Sequence, residues 1–193
     1  MKRAFDILVS LVLLLILSWL FAAIGIGIRL SSPGPVIYRQ LRAGKDGHPF
    51  TLFKFRSMHT STAVQTHETW KGDSRVFLLG RFLREYHLDE LPQLWNVLVG
   101  DMSLVGPRPT LLSQVERYTN HERGRLKVRP GITGLAQVSG NNELDWDQRI
   151  EVDLEYVEHA SFLLDLRILW RTLRTVLRKE GVYGADGRVR DKR

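Results

Sequence analysis

The chain has 193 residues, enough for one domain of ordinary cytosolic size plus an appendage and too few for two large domains. Its 28 lysines and arginines outnumber its 21 acidic residues, and the formal net charge of +7 favours acidic partners such as nucleic acid, phosphorylated metabolites or an anionic membrane surface. Because cysteine is absent, disulfide frameworks and thiolate–metal sites are excluded.

An apolar run over residues 7–28 predicts a membrane-embedded helix, which we assign to residues 1–30. About 22 residues make a helix of roughly 33 Å, which matches a hydrocarbon core of about 30 Å. Basic residues flank the run on both sides, and the positive-inside rule therefore draws both ends to the cytoplasm. A helix that enters the bilayer and turns back satisfies both ends, and Ser18 is the candidate for its bend. A plain transmembrane span is the alternative.

Two short apolar and aromatic stretches, residues 36–42 and 50–58, predict a β-hairpin whose turn contains Asp46. In the second strand the period of two places Lys54 and Arg56 on one face and phenylalanines on the other. A basic face of this kind suits a wall that binds phosphate. It is equally typical of an ordinary strand face in solvent.

Two adjacent acids, Asp89 and Glu90, stand just before Pro92. Proline is tolerated only in the first turn of a helix, so a helix is predicted to start at about Asp89 and to run through 89–99. Arginines precede and follow the acids in the sequence: Arg84 and Arg108. Carboxylates among arginines suit a site that handles phosphate together with a divalent metal. The alternative is that the two acids only begin a helix.

The remaining sequence predicts loops and helices. Residues 129–140, which read RPGITGLAQVSG, predict an irregular loop whose backbone can approach a ligand, and Arg129 is a candidate phosphate contact. The alternative is that the glycines of this loop only form a structural turn. Helices are predicted over 110–126, 145–159 and 162–179, and the last one carries a basic stripe beside an apolar side. Such a helix lies on an anionic membrane or packs on the domain with its arginines in solvent.

These observations indicate an α/β fold, mainly helical with a small β-hairpin. We expect a cytoplasmic catalytic domain over residues 31–180, followed by a flexible basic tail over 181–193. Adjacent carboxylates suggest that one binds Mg²⁺ while the other attacks or accepts a proton, and the surrounding arginines favour phosphoryl transfer. His87 could act as a general base or could be an exposed bystander. The alternative function is a non-catalytic, membrane-anchored adaptor that binds anionic lipid or nucleic acid.

Six motifs, in this order, span the chain from Lys2 to about Leu177: KRAFD, SSPGPVIYRQ, FKFRSM, LREYHLDELPQLWNVLVGDMSLVGPRP, RPGITGLAQVSG and DLEYVEHASFLLDLRIL. Together they closely resemble the bacterial sugar transferase family, the monotopic phosphoglycosyl transferases. The resemblance implies transfer of a sugar-1-phosphate from a UDP-sugar to undecaprenyl (polyprenyl) phosphate with release of UMP. That reaction is the first membrane step in the assembly of a polysaccharide or glycoprotein glycan.

The resemblance also implies roles for particular residues. Asp89 becomes the nucleophile that forms a covalent aspartyl phospho-sugar intermediate, and Glu90 becomes the Mg²⁺ ligand. Five basic residues match motif positions that are expected to bind the phosphates and the nucleotide: Lys54, Arg56, Arg84, Arg108 and Arg129. Asp165 matches as well and is expected to anchor structure or to pair with Lys2 or Arg3.

For location and partners, the resemblance implies a monotopic domain on the cytoplasmic face of the bacterial inner (plasma) membrane. A re-entrant N-terminal helix and amphipathic interfacial helices would contact membrane lipids. Nucleic acid is not expected as a partner, and a homo-oligomer is compatible with the sequence. The chain departs from the family at the middle of the apolar helix, where Ser18-Trp19 replaces the usual Ser-Pro pair and removes the obvious cause of a sharp break.

Overall fold

The structure, a computed structural model of the chain, describes residues 1–60, 70 and 72–178. The predicted basic tail at 181–193 lies outside the described residues. The helices are α1 (Lys2–Ile16), α2 (Ser18–Ser31), α3 (Leu78–Glu85), α4 (Gln93–Val99), α5 (Leu112–Val115), α6 (Leu135–Val138), α7 (Trp146–Glu158) and α8 (Phe162–Arg178). The strands are β1 (Ile37–Ala43), β2 (Pro49–Phe55), β3 (Ser103–Val105) and β4 (Gly131–Thr133). The fold is thus mixed α/β and mainly helical, as the sequence predicts.

The apolar N-terminal segment forms two helices that meet at an angle of 60°. The break falls at Leu17, next to Ser18, where the sequence predicts a bend. In the part of the chain that the structure describes, no single helix is both long enough and apolar enough to cross a membrane. The bent pair of α1 and α2 is long and apolar enough when the two helices are taken together.

The first turns of α1 are bound to the interior of the domain by polar side chains. The Lys2 ammonium donates to the carboxylate of Asp165 at 2.6 Å and to the hydroxyl of Tyr156 at 3.1 Å, which confirms the expected pairing of Asp165. One turn later the buried carboxylate of Asp6 accepts a hydrogen bond from the Ser103 hydroxyl at the start of β3. The apolar N-terminal helix is therefore bonded to the domain through its first two turns.

The predicted hairpin is present, with β1 and β2 antiparallel and a short 3₁₀ turn between them. Asp46 in that turn has a left-handed φ of 56°, a conformation that Asp adopts more readily than most residues. The hairpin is held to α4 by the fully buried side chain of Asn96. Its amide accepts from the Phe53 N–H at 3.1 Å and donates to the Thr51 carbonyl at 2.7 Å. These bonds set β2 against the helix that follows the acidic pair.

The predicted helix over residues 110–126 is wrong in extent. The structure has only the four-residue α5 and, later, a 3₁₀ segment over Glu122–Lys127. The Glu122 carboxylate accepts from the backbone N–H of Thr119 at 2.7 Å, and the Thr119 hydroxyl accepts from the backbone N–H of Glu122 in return. Such bonds from side chains to nearby backbone groups compete with a continuous helix.

The glycine-rich segment approaches another part of the protein backbone. β4 lies parallel to β3, and a Cβ atom added to Gly131 would stand 2.1 Å from the backbone nitrogen of Gly106. Only glycine permits these two backbones to pack so closely. The segment predicted as an irregular loop over 129–140 thus contains β4 and α6, and Gly131 meets protein backbone, in line with the structural alternative. This contact positions the residues after Gly106.

Those residues, 107–110, form a loop in which every backbone carbonyl accepts a hydrogen bond. The first carbonyl, of Pro107, accepts from the Gly131 N–H at 2.9 Å, and that of Arg108 accepts from the Arg125 guanidinium at 3.2 Å. The carbonyl of Pro109 accepts from the Arg42 guanidinium at 3.3 Å, and that of Thr110 accepts from the Ala43 N–H at 2.9 Å. Arg125 is itself buried and forms an ion pair with the buried carboxylate of Asp153 on α7. The loop is therefore fixed from several sides.

Three clusters of buried apolar side chains surround these polar contacts. The first lies between the hairpin, α4, β3, α7 and α8 and contains Phe50, Leu52, Leu94, Val97, Met102, Leu104, Val105, Tyr156 and Ile168. The second lies where α2 and α3 meet the end of β2 and contains Ile24, Ile28, Phe55, Phe77 and Leu83. The third is small and contains Ala43, Val115 and Tyr118.

We expect Lys2→Met to lower the free energy of unfolding by about 1–3 kcal/mol, because the carboxylate of Asp165 would remain buried without its cation. Chemical denaturation in detergent micelles measures the change. The matched control is Lys45→Met in the exposed hairpin turn, which should stay within about 0.5 kcal/mol of the wild type. Equal effects of the two variants would show that the pair with Asp165 does not stabilise the fold.

We expect Arg125→Met to cost about 3–5 kcal/mol, because it leaves the charge of Asp153 buried and unpaired. In a double-mutant cycle with Asp153→Leu, the two losses should be non-additive by about 1–3 kcal/mol, since each single variant already destroys the shared interaction. The same denaturation experiment gives all four stabilities. Additive losses would mean that the two side chains act independently.

Candidate active site

The acidic pair lies in a 3₁₀ turn, Leu88–Glu90, immediately before α4. The predicted helix start is therefore displaced: α4 begins only at Gln93, and the acids precede its first turn. His87, which opens the 3₁₀ turn, has a left-handed φ of 54°. A non-glycine residue in this conformation is strained, and such strain is often found at functional sites.

Glu90 is the centre of a buried ion-pair cluster. Its side chain is 8% exposed, and its Oε1 accepts hydrogen bonds from the Lys54 ammonium at 2.7 Å and from the Arg108 guanidinium at 2.9 Å. Burial disfavours the charged carboxylate, but Arg108 and Lys54 outweigh it and hold the pKa of Glu90 well below its usual range. Glu90 is therefore an ionised carboxylate at neutral pH.

Asp89 lies beside Glu90 and is partly accessible to solvent. Burial raises the pKa of Asp89, the cations Lys54 and Arg84 oppose that shift, and the negative charge of Glu90 adds to it. The pKa is thus raised for Asp89 and lowered for the neighbouring Glu90. Neighbouring acids whose surroundings move their pKa values apart are typical of sites in which the two groups have different roles.

Two of the predicted phosphate-binding residues lie away from the acidic pair. The Arg56 guanidinium donates to the carbonyls of Ser32, Pro33 and Pro35, and Arg56 as a whole is 4% exposed. β2 ends at Phe55, so the strand alternation that placed Arg56 beside Lys54 no longer applies there. The Arg129 guanidinium donates to the Gly100 carbonyl at 2.8 Å, at the other end of α4. The structure therefore brings Lys54 and Arg108 to Glu90, leaves Arg84 close enough for its charge to act on Asp89, and binds Arg56 and Arg129 to backbone.

Sequence reasoning missed the buried pair of Arg125 and Asp153, which supports the Arg108 loop. One signal was available: Asp153 occupies a position next to Leu154 on the apolar stripe of α7, and both are buried. An acid within an apolar helix face is usually paired in the interior. Its partner, however, lies 28 residues away in sequence and could not be identified without the tertiary structure.

The donor chemistry of the site is compatible with Mg²⁺. Across residues 1–60, 70 and 72–178, no group of three or more His, Asp or Glu side chains is arranged to hold a metal ion. Mg²⁺ does not require such a cage, because it is usually held by one or two carboxylates together with substrate phosphates. The ionised Glu90 carboxylate beside Asp89 meets that requirement.

Comparison with known proteins gives consistent matches over nearly the whole chain. The family model described as bacterial sugar transferase matches residues 1–179. EpsL, an uncharacterized sugar transferase of Bacillus subtilis (strain 168), is 43% identical over 182 residues, which cover 94% of this chain and 90% of EpsL.

Two relatives with named activities are similar at the same level. The UDP-glucose:undecaprenyl-phosphate glucose-1-phosphate transferase of Escherichia coli (strain K12) is 45% identical over 90% of this chain and 39% of its own length. The undecaprenyl-phosphate galactose phosphotransferase of Salmonella typhimurium is 41% identical over 95% of this chain and 42% of its own length. The chain therefore spans about two fifths of these two longer proteins. From the family match and these identities, the chain belongs to the bacterial sugar transferase family.

Proposed function

We propose that this transferase moves a sugar-1-phosphate from a UDP-sugar to undecaprenyl (polyprenyl) phosphate and releases UMP. The observation that carries the proposal is the acidic pair itself: Asp89 lies beside the buried Glu90, whose carboxylate binds the Lys54 ammonium and the Arg108 guanidinium. The names of the relatives from Escherichia coli and Salmonella typhimurium support the same substrate classes.

In the first step, a carboxylate oxygen of Asp89 attacks the phosphorus that carries the sugar. The bond from that phosphorus to the bridging oxygen breaks, UMP leaves with the bond electrons, and the sugar phosphate is joined to Asp89. In the second step, a phosphate oxygen of the polyprenyl phosphate attacks the same phosphorus. The carboxylate of Asp89 leaves unchanged, and the product is the polyprenyl-diphosphate sugar.

The basic side chains have two functions in this proposal. Lys54 and Arg108 keep Glu90 ionised, and Lys54 and Arg84 favour the charged form of Asp89 that can attack. Arg108 is 31% exposed, so part of its guanidinium can also meet a substrate phosphate. Positioned cations of this kind stabilise the negative charge of a phosphoryl group during transfer.

We include Mg²⁺ in the proposal, with Glu90 as its protein ligand. When bound, the ion would neutralise charge on the diphosphate of the donor. Glu90 suits this role because its low pKa keeps the carboxylate available as a hard oxygen donor across the neutral range.

We further propose that α1 and α2 form a re-entrant membrane segment on the cytoplasmic face of the bacterial inner membrane. α1 has its polar residues inside and its apolar residues outside: Asp6 and Ser10 are buried, whereas Leu8, Leu15 and Ile16 are each more than 60% exposed. An apolar surface of this kind is stable only when another apolar medium covers it. The bend of 60° between α1 and α2 supports a segment that enters the membrane and returns to the same side.

The amphipathic helix α8 supports the same placement. It packs on the domain through the fully buried Ile168, yet Trp170 and Leu177 are 68% and 79% exposed, and its arginines are exposed beside them. Exposed tryptophan, leucine and arginine on one helix are typical of interfacial binding to anionic lipid. The cytosolic sugar donor and the headgroup-level acceptor phosphate would then meet at the membrane surface.

We expect Asp89→Asn to lower turnover by more than about 10³-fold, because the amide cannot supply the attacking carboxylate. A UDP-sugar labelled in the sugar phosphate, incubated without acceptor, should label the wild-type protein covalently and leave the variant unlabelled. The control is Asp46→Asn in the exposed hairpin turn, which keeps both signals. Wild-type turnover by Asp89→Asn would exclude Asp89 as the nucleophile, and a non-catalytic adaptor would show neither turnover nor label.

We expect Glu90→Gln to raise the Mg²⁺ concentration required for half-maximal activity by about tenfold or more, because the neutral amide is a weaker ligand than an ionised carboxylate. A titration of Mg²⁺ after removal of metal with a chelator measures the change, again with Asp46→Asn as the control. Full activity of the chelated wild-type enzyme would refute the metal requirement.

A further inference from the structure

A cavity of about 340 Å³ lies between α8 and the acidic turn. Its volume is at the lower end of the range for small-molecule sites and far above that of a single water. Most of its wall is apolar and comes from α1, α4, β3, β4 and α8, through side chains that include Leu13, Leu94, Leu104, Ile132, Leu169 and Val176. The proposed reaction steps do not use this cavity.

One end of the cavity is polar and reaches the acidic pair. Its wall includes Leu88 and Glu90, the residues on either side of Asp89, together with Arg108. The Arg108 side chain is 31% exposed, so part of its guanidinium can bind an anion at this end. A phosphate group at Arg108 would stand beside the residue that we propose to carry the sugar phosphate.

The other end reaches the outer apolar surface of α8. Leu173 lines the cavity and is also 59% exposed, so the cavity is continuous with the surface that carries Trp170 and Leu177. On the opposite wall Leu13 belongs to α1, whose neighbouring residues Val12 and Ile16 are exposed as well. An apolar chain could therefore pass from the lipid-facing surface into the protein.

Gln137, on α6, borders the same cavity and gives a second observation. Both polar atoms of its side-chain amide are buried, and neither has a hydrogen-bond partner among residues 1–60, 70 and 72–178. A buried amide without partners is costly, and native proteins seldom keep one without a reason. A ligand that brings a polar atom into the cavity would supply the missing bond.

We propose that this cavity holds the first isoprene units of the polyprenyl phosphate acceptor, with its phosphate at Arg108 and near Gln137. The inference rests on the proposed function. An acceptor with one anionic head and one apolar chain fits a cavity that has the Arg108 guanidinium at one end and is apolar along most of the rest. A UDP-sugar is polar throughout and does not match the leucine-lined wall.

The cavity then determines which lipids serve as acceptors. The chain leaves the bilayer between α1 and α8, and its phosphate approaches the acidic turn from the side opposite to open solvent. Side chains such as Val176 and Ile132 set the width available to the branched chain. A diacyl phospholipid, with two chains on one head, would not enter the space as well.

The main test compares two substitutions one residue apart on α8. Val176→Trp places an indole in the cavity, whereas Leu177→Trp changes a residue that is 79% exposed and does not line it. We expect Val176→Trp to raise the KM for undecaprenyl phosphate by about tenfold and Leu177→Trp to change it less than twofold. UMP release from a UDP-sugar without acceptor should be the same for both variants and the wild type, since that step does not use the lipid.

These readouts separate the two proposals. Absence of UMP release from the wild type would overturn the proposed function, whereas equal KM values for both variants, with normal UMP release, would overturn only the cavity assignment. If Val176→Trp fails to fold, photolabelling of the wild type decides, with undecaprenyl phosphate that carries a diazirine on its first isoprene unit. Label on Ile132–Val138 or on the cavity side of α8 supports the assignment. Label confined to α2, or equal label from a diazirine phospholipid, overturns it.

Discussion

The buried charge of Glu90 constrains how the segments around the acidic turn can pack. A carboxylate that is 8% exposed is costly unless it is neutralised, and Glu90 is neutralised by Lys54 from β2 and Arg108 from the 107–110 loop. The cluster therefore requires that the hairpin, the acidic turn and this loop meet at one point. The other buried polar contacts act on those same segments: Asn96 ties β2 to α4, and the Arg125–Asp153 pair and the Gly106–Gly131 contact hold the loop.

Hydrogen bonds join the N-terminal helix α1 directly to the segments that form this cluster. Lys2 and Asp6 bind β3 and its surroundings, and Arg3 donates to the carbonyls of Val97 and Leu98 at the end of α4. The segment that we propose to enter the membrane is thus attached to both the strand that leads to Arg108 and the helix that follows the acids. Under the proposed function, this coupling fixes the height of the site above the bilayer, where a lipid phosphate and a soluble sugar nucleotide can meet.

Local patterns predicted most of the elements, and the errors have local causes. The hairpin, α7 and α8 follow from turn residues and apolar periodicity, which act over a few residues. The helix expected over 110–126 failed because the side chains of Glu122 and Thr119 bind nearby backbone groups, a competition that periodicity does not register. Arg56 was placed beside Lys54 because the alternation was continued one residue past the end of β2, and its guanidinium instead holds the turn after α2.

From the sequence alone one could predict the family, the apolar N-terminal segment and the pairing of Asp165 with an N-terminal cation, and could propose the acidic pair as the centre of the site. Each of these depends on residue order or on hydropathy over short windows. Three features could be known only from the tertiary structure. Lys54 and Arg108 bind Glu90, the pKa values of Asp89 and Glu90 move in opposite directions, and α1 has its polar side inside. Burial and charge at a site depend on residues that are distant in the chain, such as Lys54 and Glu90, which are 36 positions apart. Only the packing of the whole fold brings such residues together.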